Sequence, residues 1–332
     1  MTTQDLTAVE AGAVGNPAAP APGARQVWRR LRAQRAAVAG TAVIALLVLV
    51  ALAAPLLSAI EGQNTTAYHP ELIDSASGGV PLGSFGGISG DHWLGVEPGT
   101  GRDMFSRLVH GAQISLAVAL GATLVQILVG VGTGLAAGLG NRFVDNLLSR
   151  VTDVMITMPA LVFAIALMAV VPDGFPRPLL LALIIGFVAW GSISKLVRAQ
   201  VLSLKSLDYV AASRLAGSGT WRIARRELLP SLVAPVITYA ALLIPANMVI
   251  ESGLSFLGIG VKPPTPSWGQ MLSSANTWYE ADPAYVLLPA AMLFISVLAF
   301  TVLADGIRTA LDPRAASRLR VGTGRKREEA AS

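Results

Sequence analysis

Six stretches of the chain are almost uninterruptedly apolar: about 36–60, 112–140, 151–171, 179–202, 231–259 and 284–306. Each reaches the length of about 20 residues that a helix needs to cross a hydrocarbon core of about 30 Å. A backbone in hydrocarbon must satisfy its own hydrogen bonds, so all six are predicted as helices. The expected fold is all-α, a polytopic membrane protein with six transmembrane helices. Polar stretches divide the chain into a tail over 1–35, expected to be disordered, basic and cytoplasmic, a first span over 36–60, an external segment over 61–107 and a main transmembrane domain over 108–309. That domain carries a long polar loop at 203–230, and a basic tail follows over 310–332. The first 24 residues, rich in Ala, Pro and Gly, are predicted to be disordered. The first apolar run starts too late and is too long for a cleavable signal peptide, so it is expected to stay as an anchor. "GGVPLGSFGGISG" at 78–90 is built of turn residues, which predicts an irregular segment with room for a small extracytoplasmic subdomain or lid.

Composition agrees with a membrane class. Of 332 residues, 53% are hydrophobic and 14% charged, too few charges to cover a soluble domain. The charges are also placed unevenly. With the N-terminus inside, 21 of the 25 Lys and Arg residues fall on the cytoplasmic side, and only Arg102, Arg107, Arg177 and Lys262 fall outside. This asymmetry predicts that both termini and the 203–230 loop are cytoplasmic. The basic balance is explained by membrane edges and anionic headgroups, so lipid is the expected contact and nucleic acid is not.

Several chemistries have no residues to carry them. With no cysteine there is no disulfide or thiol site. His69, His92 and His110 show no ligand spacing and are expected at solvated or interfacial positions. No lysine follows a glycine, so the Gly-Lys-Ser/Thr phosphate loop is absent; neither catalytic, metal nor cofactor-binding residues are assigned. Within the second span, "LVGVGTGLAAGLG" sets Gly130, Gly134 and Gly138 four residues apart on one stripe, where a second helix can approach closely. Among ionisable groups, Asp153 opens the third span, Asp305 ends the sixth and Glu251 lies in the outer half of the fifth. None marks a mid-depth proton relay, which argues against a secondary transporter. Glu251 is a candidate pathway residue, although capping or an interface hydrogen bond is the more ordinary use of such a group.

The loop "SLDYVAASRLAGSGTWRIARRELLPSL", 206–232, is polar and basic between two apolar runs. Ser206 or Asp208 is expected to cap a short helix whose Ala211, Ala212, Leu215 and Ala216 form a small, shallow face ending at Gly217. A second basic helical piece leads to Pro230, where the chain is expected to turn into the next span. Such a helix suits a partner's groove, and on physics alone it equally suits an amphipathic helix lying on headgroups.

This loop resembles the cytoplasmic coupling motif of ABC-importer permeases: Glu-Ala-Ala, three residues, Gly, nine residues, then Ile-x-Leu-Pro. Ala212, Gly217, Leu229 and Pro230 match. Ala211 stands where the motif's Glu is common, Ser213 where its second Ala is usual, and Glu227 where its Ile would fall. Three further blocks are similar to the dipeptide, oligopeptide and nickel permease family: "HWLGVEPGTGRDMFSRLVHGAQISLAV" at 92–118, "ESGLSFLGIGVKPPTPSWGQML" at 251–272 and "LADGIRTALDPR" at 303–314. In this order they resemble the C-type permease subunit, with the type I importer architecture. The resemblance implies a non-catalytic chain in the bacterial inner membrane that pairs with a B-type permease and two ATPase subunits. Those subunits would bind ATP and Mg, and an extracytoplasmic binding protein would deliver peptides. Asp208, Ala211, Ala212, Ser213, Gly217, Leu229 and Pro230 would be the ATPase contact. A nickel chelate or another small solute is the alternative cargo; a secondary transporter or a membrane scaffold is the alternative of another class.

Overall fold

The computed structural model describes residues 24–172 and 174–311. Among the described residues its regular structure is helical apart from a two-stranded ribbon, in which β1 (Ile73–Asp74) pairs antiparallel with β2 (Val80–Pro81). The chain opens with α1 (Ala24–Arg32) and α2 (Arg35–Glu61), so the disorder expected over 1–35 does not extend to residues 24–32; residues 1–23 lie outside the described residues. Arg30 Nη1 donates to the Ala310 carbonyl at 3.3 Å, which fastens α1 to the end of the last helix.

Among the described residues, four helices are long and apolar enough to cross a membrane singly: α2, α3 (Met104–Leu139), the helix that ends in α10 (Leu229–Phe256) and α12 (Pro283–Leu311). The expected third and fourth spans are not continuous. α4 (Arg142–Thr157) meets α5 (Ala160–Val170) at 91°, and α6 (Arg177–Val188) meets α7 (Gly191–Leu204) at 45°. The first break has a local cause: Met158 precedes Pro159, which pushes it out of the helical region to φ −69°, ψ 133°. Taking each bent pair as one span gives six.

α3 lies at the centre and packs against α2, α4, α6, α7 and α10. α2 buries one stripe, with Ala37, Gly40, Leu47, Ala51, Ala54 and Ser58 at helical spacing, and packs it on α3 and α12. Its other face exposes Leu46, Leu49, Leu52 and Leu56, which suits hydrocarbon rather than water. At one end of the bundle lie the 61–107 segment and α11 (Trp268–Ala275); at the other lie α8 (Asp208–Leu215) and α9 (Thr220–Ile223). The 61–107 segment is irregular, as expected. The turn between β1 and β2 is closed locally: Asp74 accepts from Ser77 Oγ at 2.5 Å, and that bond, together with the Ser77 and Ala76 amides, holds its carboxyl below the usual carboxylate range.

Candidate coupling site and the polar hubs that position it

The short helix expected in the 203–230 loop is present as α8, with a different start. Leu207 is its N-cap and contributes no side-chain cap; Ser206 Oγ donates instead to the Ser203 carbonyl at 2.8 Å, and Asp208 is the first helical residue. Asp208 there complements the helix dipole rather than capping the amides. The C-terminus forms as expected. Gly217, at φ 79°, donates to Arg214 O and Ser218 N donates to Ser213 O, the paired bonds of a Schellman end.

One face of α8 is an anchor and the other is open. Val210 is fully buried, in a cluster with Ile193, Val197 and Val201 of α7 and with Ile223, Leu228 and Leu232. Ala211, Ala212, Leu215 and Ala216 are exposed, Leu215 at 90%. Just before α8, Lys205 Nζ donates to Gly138 O at 3.0 Å and so satisfies a carbonyl at the end of α3.

The chain does not turn at Pro230. α9 runs through a π-helical turn, Ala224–Leu228, directly into α10, where Leu229 and Pro230 occupy the first turn. Pro230 therefore lies inside a continuous helix just past the π turn, with no N–H of its own to donate back into it. Ile223 and Leu228 are five residues apart, which in an α-helix places them about 140° apart around the axis. The wider i→i+5 turn, closed by Leu229 N to Ala224 O, brings both into the cluster that holds Val210.

The glycine stripe meets α7 of the same chain. A Cβ on Gly130 would lie 2.0 Å from Ile193 Cγ2, one on Gly134 2.6 Å from the Ser194 carbonyl oxygen, and one on Gly138 2.6 Å from Val201 Cγ1. Thr133 Oγ1 donates to Ser194 Oγ at 2.9 Å along the same seam. Beside this seam, between α3, α4 and α7, a cavity of about 300 Å³ is lined by Ala137, Ser149, Thr152, Asp153, Ser194, Lys195 and Arg198. Lys195 pairs there with Asp153 at 2.8 Å, and Arg198 Nη2 with Asp145 Oδ2 at 2.8 Å.

At the other end three polar hubs close the bundle. Glu97, fully buried, accepts from Arg107 Nε at 2.6 Å and from Arg102 Nε at 2.7 Å. Arg107 also reaches Thr65 O, Pro264 O and Gln270 Oε1. Asp103 caps α3 through Ser106 N at 2.6 Å and pairs with His92 Nδ1 at 2.8 Å, so His92 is a buried partner and not the solvated or interfacial residue expected. Gly101, at φ 68°, sits where a Cβ would strike the His69 carbonyl oxygen at 2.2 Å, which leaves glycine alone able to fill that position. The third hub is Glu251, which is fully buried. Ser115 Oγ donates to it at 3.0 Å, Ser255 Oγ at 2.8 Å and Ser252 Oγ at 3.3 Å. In this conformation it joins α3 to α10 and exposes no surface to a solute.

Mid-span, Gln126 and Asn247 exchange two amide hydrogen bonds of 3.0 Å, and Asn247 Nδ2 also donates to Thr123 Oγ1 at 2.9 Å. Neither residue is ionisable, although Gln126 in "LVQIL" is visible in the sequence as a polar residue in an apolar run. No three His, Asp or Glu side chains among the described residues are placed to hold a metal ion.

Two family descriptions match the chain. Residues 130–317 match the binding-protein-dependent transport system inner membrane component, and residues 24–72 match the N-terminal transmembrane domain of oligopeptide transport permease C. The chain belongs to this permease family. Relatives include the glutathione transport system permease protein GsiD of Pectobacterium atrosepticum, 34% identical over 290 residues, which are 87% of this chain and 91% of the relative. The dipeptide transport system permease protein DppC of Alkalihalophilus pseudofirmus is 32% identical over 87% of this chain and 90% of its own length. The di/tripeptide permease DppC of Pseudomonas aeruginosa is 33% identical over 87% and 92%. Membership of the dipeptide, oligopeptide and nickel permease family, C-type branch, makes this chain the non-catalytic membrane subunit of an ABC importer, whose ATP hydrolysis resides on separate subunits.

Proposed function

We propose that this permease imports peptides as one of two related membrane subunits, paired with a B-type chain, driven by two ATPases that bind ATP and Mg, and supplied by an extracytoplasmic binding protein. The observation that carries the coupling role is the two-sided character of α8. Its small exposed face fits a partner's groove, while Val210 is locked into the bases of α7 and α10. A push on α8 therefore moves the interior ends of two spans, which is what a change of access requires. The relatives' names, which print glutathione, dipeptide and di/tripeptide, support a peptide cargo.

Ala212→Arg puts a long charged side chain on the exposed face while leaving Val210 and the spans untouched. The complex is expected to insert normally, with ATPase co-purification reduced about tenfold, as loss of about 1.4 kcal/mol of contact would give. Gln200→Arg adds the same charge at an exposed position on α7 and is expected to be harmless. Normal association and uptake in Ala212→Arg would overturn the reading.

We further infer from the Lys and Arg asymmetry that both termini and residues 203–230 are cytoplasmic, with 61–107 and 260–283 outside. Because the chain has no cysteine, single substitutions are clean probes. An impermeant thiol reagent applied to intact cells is expected to label Ser75→Cys and not Thr220→Cys; the reverse pattern inverts the topology.

A further inference from the structure

Two of the three positions at which the coupling segment departs from the family's motif, Ser213 and Glu227, touch each other. Ser213 Oγ donates to Glu227 Oε1 at 3.2 Å across 14 residues of sequence, and both side chains are half-buried. Ser213 lies three residues after Val210, on the same face of α8. That helix is thus held at two points one turn apart, an apolar anchor and a hydrogen bond. The two differ in kind. Burial of Val210 is non-directional and leaves α8 free to roll about it, whereas a hydrogen bond fixes direction. Glu227 is placed by the π turn, which also aims Ile223 and Leu228 at Val210, and its own carbonyl accepts from Ser231 Oγ at 3.0 Å.

We propose that Ser213 and Glu227 form a positioning pair that sets the roll of α8 against the base of α10, so that displacement of the coupling helix is passed to that span in register. The proposal rests on the coupling function assigned above to α8. The motif's usual Ala and Ile at these places would meet as an apolar pair; here a polar pair occupies the same junction. The two residues are therefore interdependent. Changing either alone leaves a polar group facing an apolar one, and changing both restores a matched contact.

The test is a double-mutant cycle with two readouts. The first uses the purified chain alone, with a nitroxide on Ala216→Cys reporting the mobility of the end of α8. Ser213→Ala and Glu227→Ile are each expected to raise that mobility, and the double substitution to return it to the parent level. Glu227→Gln, which keeps an acceptor oxygen, should stay near the parent. The second uses the complete reconstituted importer: the single variants keep their ATPases bound but lose about three- to tenfold in peptide imported per ATP hydrolysed, and the double variant recovers to within about twofold. Equal mobility in all four forms overturns the pair, as does a double variant no better than the product of the singles. If mobility follows the cycle but uptake per ATP never changes, the hydrogen bond orders α8 without serving coupling, and the proposal fails. Failure of Ala212→Arg to disturb ATPase association would instead remove the coupling reading itself, while the mobility cycle would still judge the pair.

Discussion

Gly134→Ala is expected to lower the thermal unfolding midpoint of the purified permease by several degrees, and Gly134→Leu to prevent its accumulation. Gly132→Ala, two residues away, is expected to leave the midpoint unchanged or raise it slightly. A single methyl group is enough because of what lies opposite. The Cβ would sit 2.6 Å from the Ser194 carbonyl oxygen, 2.7 Å from Val197 Cβ and 2.9 Å from Val197 Cγ1. The first is backbone, and valine in a helix has one strongly preferred rotamer, so neither neighbour can swing aside. α7 must move away, and overpacking of this kind costs about 1–3 kcal/mol. It also pulls on Gly130 and Gly138, which face Ile193 and Val201 at the same four-residue spacing. At Gly132 nothing lies within 4 Å, so alanine there gains helix propensity, up to about 1 kcal/mol, with no clash. The opposite signs at two neighbouring glycines separate helix packing from a general intolerance of substitution. A Gly134→Ala protein as stable as its parent would show that α3 and α7 are not in contact there.

The six apolar runs were legible because the bilayer demands length and composition together, and both are visible in a sequence. The breaks were less so. Pro159 announced one of them, yet an apolar run continues across it, and composition does not record a 91° bend. The break at Ala189–Trp190 carries no proline at all. Gly130, Gly134 and Gly138 identified a seam but not its partner, since a stripe of small residues says how close a helix comes and not which one. The 203–230 segment is legible as a motif by its spacing, and Gly217 ends α8 as a local backbone signal, whereas Pro230 lies within a continuous helix and turns nothing. The start of α8 is not legible, because Ser206 finds a carbonyl behind it and leaves Leu207 as the cap. The polar hubs were hidden for another reason. His92 meets Asp103, and Glu97 meets Arg107, only after an irregular loop has folded back on itself, and no periodicity encodes that. Glu251 is legible as an acid in a span, but the serines that satisfy it come from two helices.

Glu97→Gln is expected to be among the most damaging single substitutions in the chain, lowering the unfolding midpoint further than Gly134→Ala and opening the 61–107 segment to protease. Its carboxylate lies between two arginines, 2.6 Å from Arg107 Nε and 2.7 Å from Arg102 Nε, and both the carboxylate and Arg107 are fully buried. Glutamine keeps the shape and removes the charge. The two guanidiniums then share a dry site with no anion between them, and arginine cannot relieve this by losing a proton. Removing one partner from a buried ionic group costs about 3–5 kcal/mol, because the remaining charge has already lost its water. The damage spreads, since Arg107 also binds Thr65 O, Pro264 O and Gln270 Oε1 and so fastens the 61–107 segment, the loop after α10 and α11 to the start of α3. Arg102→Met should do less harm, because it leaves one anion facing one cation. Asp153→Asn should do least: its bond to Lys195 is 2.8 Å long, but the two side chains are 52% and 47% exposed, and such surface pairs contribute about 0–1 kcal/mol. The expected order of destabilisation, measured by thermal unfolding in one detergent, is Glu97→Gln, then Arg102→Met, then Asp153→Asn. A Glu97→Gln protein no less stable than Asp153→Asn would mean that the carboxylate does not sit in a dry site between the two arginines, and the latch that closes this end of the bundle would have to be sought elsewhere.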